Sequence, residues 1–137
     1  MVIKGKRVKP PIPIEYRLLI TPKLNEIERK NVTLVALRTV IEFTNFRYNI
    51  IVEPELTNHT MRFTIRGLHA PQVSLPGMGP AIFKTEYENL KGLYNVIVSK
   101  HGREENLFSV NISNNEIKIK KIPEKKFVEI VTNEVEW

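Results

Sequence analysis

What 137 residues can do chemically depends first on which side chains they include, and here the set is narrow. There is no cysteine, which removes disulfides, thiolate zinc sites, iron–sulfur clusters and thiol nucleophiles together. All 15 acidic residues are glutamate. Without aspartate the chain cannot supply an aspartic dyad, a Ser-His-Asp triad in its usual form or the Asp-rich loop of an EF-hand. The three histidines, His59, His69 and His101, are too far apart in sequence to form a metal-ligand motif. His59 starts a strand-like run and is expected at its rim, as a packing residue. His101 stands beside Arg103, Glu104 and Glu105, where a His-Glu pair could move a proton. A loop tip leaves such groups hydrated, so nothing tunes them for catalysis. The side chains therefore point to a protein that is not an enzyme and holds no cofactor or metal.

Binding is the chemistry that remains. Residues 67–80, GLHAPQVSLPGMGP, carry three prolines and three glycines but end without Gly-Lys-Ser/Thr, so they form no phosphate-binding loop. Their distinctive content is apolar: Leu68, Val73, Leu75 and Met78, with His69. Loops held by a rigid scaffold are where binding concentrates, and exposed Leu and Met are costly to leave in water. These five residues are the candidate partner-binding set. The bland alternative is a loop that covers the end of the fold.

The charge pattern offers a second chemistry. The chain has 21 basic residues, for a net +6. Lys4, Lys6, Arg7 and Lys9 crowd the N-terminus, and Lys118, Lys120, Lys121, Lys125 and Lys126 lie near the C-terminus. Arg47, Arg62 and Arg66 are placed outward by the alternation around them. With the tail, these arginines form the candidate nucleic-acid-binding set, Lys4, Lys6, Arg7, Lys9, Arg47, Arg62 and Arg66. No exposed aromatics interleave with them, as stacking on single strands requires. The Arg7-x-x-Pro10-x-x-Pro13 spacing also fits a polyproline ligand, although an entry linker into the first strand is the favoured explanation.

The elements that would position these residues are strands. Alternation with period two recurs along the chain, bounded by Pro, Gly and Asn, while helical periodicity is nearly absent. Ile12, Ile14, Tyr16, Leu18 and Ile20 share one face, and Pro13 marks that strand as an edge. Residues 33–44 turn Val35, Leu37, Ile41 and Phe43 inward. Residues 46–53 do the same with Phe46, Tyr48, Ile50 and Val52, after a phase change at Asn45 that predicts a corner or bulge. Met61, Phe63 and Ile65 complete a hairpin with the preceding run. Further strands carry Ala81, Phe83 and Tyr87; then Tyr94, Val96 and Val98; then Phe108, Val110 and Ile112, turned through Gly102 and Arg103. A phase flip at Asn114-Asn115 leads to Ile117 and Ile119. The Lys-rich run 116–122 reads as another edge, open to strand addition. Phe127 to Val131, apolar on both faces, suits a central strand. Lys23 to Lys30 is the one helix candidate.

Seven to nine strands without a covering helix predict an all-β fold of two packed antiparallel sheets, with a barrel as the alternative. Leu90-x-x-Leu93-Tyr94-x-Val96-x-Val98 resembles the corner-tyrosine strand of immunoglobulin-like and fibronectin-III-like domains. The resemblance implies an antiparallel β-sandwich and no particular function.

The organisation expected is a basic, Pro-rich tail over residues 1–11 and a single β-domain over 12–137. No signal-like apolar run follows the basic start and none is long enough to span a membrane, so a soluble, cytoplasmic protein is the default. The three N-x-S/T sequons, at Asn31, Asn58 and Asn111, carry little weight without a secretory signal. The function expected is that of a non-catalytic interaction or assembly module, its partner another protein or a second copy of the chain. The alternative is electrostatic nucleic-acid binding.

Overall fold

A computed structural model of the chain describes residues 13–70, 77–101, 103–113 and 116–137. The tail cations Lys4, Lys6, Arg7 and Lys9, the polyproline-like motif up to Ile12, Val73, Leu75, Gly102 and the Asn114-Asn115 turn lie outside the described residues.

Nine strands form: β1 (Tyr16–Asn25), β2 (Lys30–Phe43), β3 (Asn49–Thr57), β4 (Thr60–His69), β5 (Gly79–Glu88), β6 (Gly92–Lys100), β7 (Glu104–Ile112), β8 (Ile117–Lys121) and β9 (Val128–Val131). They make one mixed, strongly curled sheet, a half-barrel, in the order β8-β7-β6-β4-β3-β5-β2-β1-β9. The all-β class and strand number are as expected. The antiparallel arrangement is not, because β1–β9, β3–β5 and β4–β6 pair in parallel. Alternation reports which face a side chain takes, and that period is the same beside a parallel or an antiparallel neighbour. The joint between β3 and β5 is a single pair, Asn49 with Ile82.

Among the described residues there is no helix. Where one was expected, β1 runs to Asn25 and β2 begins at Lys30. The Asn25 side-chain oxygen accepts hydrogen bonds from the backbone N–H of Ile27 and Glu28, each at 3.1 Å. An Asx-type turn thus closes a hairpin where Leu24 and Ile27 had suggested a helical face. The hairpin of β3 and β4 turns through Asn58 and His59, with Asn58 left-handed at φ 50°. Asparagine is among the few residues that tolerate this conformation.

Curling turns the inner faces of most strands onto one core. Leu18 and Ile20, Val35 and Leu37, Met61, Phe63 and Ile65, Val96 and Val98, and Phe108, Val110 and Ile112 are all buried there. A smaller second cluster lies on the other face, where Trp137 covers Leu19, Leu34, Ala36 and Val131. The Trp137 indole N–H donates to the Arg17 carbonyl at 3.2 Å, and the Arg38 guanidinium donates to the Trp137 carbonyl at 3.0 Å. Residues 32–37 are consequently buried on both faces. β1 is an interior strand rather than an edge, since Pro13 precedes its first residue. β9 is the reverse: apolar on both faces as read, yet at the edge of the sheet. Its inner face joins the main core, and its Val131 lies beneath Trp137.

Across the open flank the sheet is held by a side chain rather than a ladder. Asn106 on β7 is buried and accepts hydrogen bonds from the backbone N–H of Phe127, at 2.8 Å, and Val128, at 3.0 Å. Its amide donates to the Lys125 carbonyl at 3.1 Å. The Tyr94 hydroxyl accepts from the Lys91 N–H at 3.4 Å. That local bond is of the corner-tyrosine kind, found here in a single curled sheet.

Candidate contact surface at the loop end

The strand directions set by the pairing bring residues 43–49, 69–70, 77–79, 100–101, 103–104 and 121–127 to the same end of the sheet. Four neighbouring strands, β4, β3, β5 and β2, contribute to this end. Ile50 pairs with Leu68, Asn49 with His69, and Phe43 with Gly79. Leu68 and His69 are exposed at the end of β4, and Met78, just before β5, is 69% exposed. Of the predicted partner set, the structure therefore brings Leu68, His69 and Met78 to one end.

Three further apolar residues join them: Ile41 on β2, Phe46 in the link between β2 and β3, and Ile51 on β3, all exposed. Alternation had turned Ile41 and Phe46 inward. A register shift between Arg38 and Glu42 takes Ile41 out of that phase, leaving it 70% exposed, and Phe46 falls where no regular strand runs. Ile51 was legible, being an isoleucine in the outward phase between Asn49 and Glu53. Beneath the surface Phe43 and Tyr48 pack edge-on, with ring centroids 4.9 Å apart.

Arg47 belongs to this end and not to the arginine face on which it was predicted. The Gly77 N–H donates to the Asn45 carbonyl at 3.4 Å, and the Arg47 side chain crosses directly over Gly77. A Cβ at Gly77 would stand 2.9 Å from Arg47 Nε, so glycine lets the two segments approach.

Arg62 and Arg66 do share the outer side of β4, but each is already paired. Arg62 bonds the Glu105 carboxylate, and Arg66 bonds Glu53 at 3.0 Å. The Arg66 guanidinium holds the Glu53 carboxyl below the ordinary carboxylate range. A phosphate arriving here would have to displace a carboxylate from each arginine.

The opposite end carries a cavity of about 400 Å³ lined by Pro22, Lys30, Thr33, Glu88, Leu90 and Ser113, among others. Lys30 bridges Glu88 at 3.4 Å and Glu28 at 3.6 Å. Hydrogen bonding to Glu88 raises the Lys30 pKa. His59 packs against the Tyr94 ring at 4.7 Å near the same end, in the rim position expected of it. His101 is left-handed at φ 54°, and its N–H donates to the Ile65 carbonyl at 3.0 Å. Among the described residues no group of three or more His, Cys, Asp or Glu could hold a metal. Among the described residues no helix is long and apolar enough to cross a membrane.

Fold and surface together define an all-β protein with an apolar, arginine-bearing end. The chain matches no protein-family model, no curated protein and no solved structure.

Proposed function

We propose that this protein is a non-catalytic interaction or assembly module that works by contact through its loop end. The observation that carries the reading is the gathering of Ile41, Phe46, Ile51, Leu68 and Met78 at the loop end of four adjacent strands, Ile41, Ile51 and Leu68 on β2, β3 and β4 and Phe46 and Met78 in the segments between strands. Exposed apolar residues scattered singly are ordinary, whereas several gathered at one end of a fold are what a contact surface needs. Arg47 at its rim adds the residue type most enriched, with Trp and Tyr, at binding hot spots. Val73 and Leu75, on the segment between β4 and β5, are included in the proposed surface. A sandwich-like reading of the fold is supported by the single-pair joint between β3 and β5. It divides the sheet into five strands and four, whose inner faces share a core.

The test is sedimentation velocity with amide hydrogen exchange on the wild type and on Leu68→Glu with Met78→Glu. Contact through this end predicts concentration-dependent association that slows exchange at 41–51 and 67–70. The double variant should lose that association with its melting temperature unchanged. A variant that melts several degrees lower while associating normally would assign the two residues to the fold's own packing instead.

A further inference from the structure

We infer that the free side of β8 takes up an extended, acidic segment of another protein as an added strand. This site is separate from the loop end and does not depend on it.

β8 pairs only with β7 and ends the sheet, so one side of its backbone has no strand partner among the described residues. β9 covers the far side of β1 only from Tyr16 to Leu19. Beyond Val131 the chain leaves the sheet and turns to set Trp137 on the outer face. The remainder of β1, to Asn25, therefore has β2 on one side and no strand on the other among the described residues. β8 approaches β1 across this flank, in places to within 8 Å between Cα atoms. Two ladder spacings need nearly 10 Å, so a guest strand must spread the flank by a few ångströms. A flank held by the Asn106 side chain rather than a ladder can yield in this way.

The side chains state what the guest would be. Lys118, Lys120 and Lys121 on β8, and Lys23 on β1, are exposed. Among the described residues none has a carboxylate within 4.0 Å, a trait shared with other surface cations such as Lys84 and Arg103, so what sets these four apart is their grouping along one open flank. Lysines alone would be ordinary protection of an edge against pairing. Ile119 is the feature that protection does not explain. It follows the core phase of buried Ile117, yet it is 38% exposed because no strand lies beyond it. A guest that alternates carboxylates with apolar residues would pair its acids with the lysines and cover Ile119.

The ladder must come mainly from β8. The Tyr16 N–H donates to the Phe127 carbonyl, so the even-numbered residues of β1 point their N–H groups to this flank. Pro22 is one of them and has no N–H to give.

The probe is a capped, labelled heptapeptide alternating Glu and Val, titrated into the full chain at low salt and followed by anisotropy and by amide exchange. The expected result is binding that slows exchange at 117–121. Lys118→Glu with Lys120→Glu should weaken it roughly tenfold and bind the Lys/Val peptide in its place. Leu68→Glu with Met78→Glu should bind the acidic peptide normally, which separates this site from the loop end. The inference is overturned if the charge-reversed variant binds the acidic peptide as well as the wild type does. Slow exchange without peptide at those amides of 117–121 that do not bond β7 would show a closed edge and overturn it too. Protection that grows with protein concentration alone would make the guest a second copy. Equal protection by a short oligonucleotide would make it a phosphate chain, and either result replaces the acidic segment.

Discussion

At one end of the sheet the strands are joined by short turns that nearby residues close; at the other, the β6–β7 hairpin apart, they are joined by longer segments that distant residues hold in place. Asn58 and Asn89 take left-handed conformations at the turn end, at φ 50° and 59°. The Asn25 side chain closes the β1–β2 turn, and the Ser113 hydroxyl donates to the Glu116 carbonyl at 2.9 Å. The loop end is fastened across long stretches of chain. Asn106 holds Phe127 and Val128, Lys100 bridges Glu15 at 2.6 Å, and the Ala81 N–H donates to the Thr39 hydroxyl at 2.9 Å. Turns closed by their own residues form whenever their strands do, whereas the loop end takes its shape only once the sheet has curled. The end with the freer connections is the one that carries the exposed apolar surface, as loops on a rigid scaffold commonly do.

The comparison breaks most sharply at Asn106. Asn106→Ala leaves the N–H groups of Phe127 and Val128 without their acceptor and should cost about 2–4 kcal/mol in urea unfolding. Exchange at 125–131 should rise with it while the turn end stays protected. Asn106→Asp keeps the acceptor for both N–H groups but sets a buried carboxylate against the Lys125 carbonyl, so its loss should shrink below that of Ala on acidification, when the carboxyl gains a proton to donate. Losses that stay equal in the two variants at low pH would show that packing, and not the hydrogen bonds, holds the flank.

A local substitution should act more weakly. Asn58→Ala places an ordinary side chain in a left-handed conformation and should cost about 1 kcal/mol, against no loss for Asn58→Gly. Thermal melts of the pair separate backbone strain from any side-chain role. Tyr94→Phe removes one long hydrogen bond and should cost about 0.5 kcal/mol.

The smallest differences are in pH dependence. Hydrogen bonding to Glu15 raises the Lys100 pKa, and burial raises that of Tyr16. Both contributions are complete below the unfolded-state values, near 10, and are lost as pH rises through the raised folded values. Stability should therefore decline on the alkaline side, and Lys100→Met should flatten that decline. The Glu53 carboxyl is lowered by Arg66, so its contribution is present above about pH 4.3 and is lost as pH falls through the depressed value. The pair is exposed, so Glu53→Gln should barely change the acid limb of a pH–melting curve.

Much of the strand content could be read from residue types in order. Met61, Phe63 and Ile65, Val96 and Val98, and Phe108, Val110 and Ile112 face the core as their alternation required. Pairing direction could not be read, because parallel and antiparallel neighbours leave the same alternation. Nor could the burial of residues 32–37 on both faces, which depends on a tryptophan a hundred residues away. Of the proposed contact surface, Leu68, His69 and Met78 were legible as apolar or exposed residues in a Gly- and Pro-rich segment. Ile41 was not, because a bulge reversed the side to which it points. Arg47 was assigned to the wrong neighbours, since its place depends on where the β4–β5 segment returns.

By itself the sequence determined the all-β class and the side most residues take. It also removed whole classes of catalysis by omitting Cys and Asp. Those properties depend on a side chain and its immediate neighbours. Tertiary structure alone decided the strand order, the single curled sheet and the Asn106 fastening. It also decided which exposed apolar residues meet at one end and which cations find a glutamate. Each of these is a distance between segments far apart in the chain, and such distances are fixed only when the sheet curls onto its core.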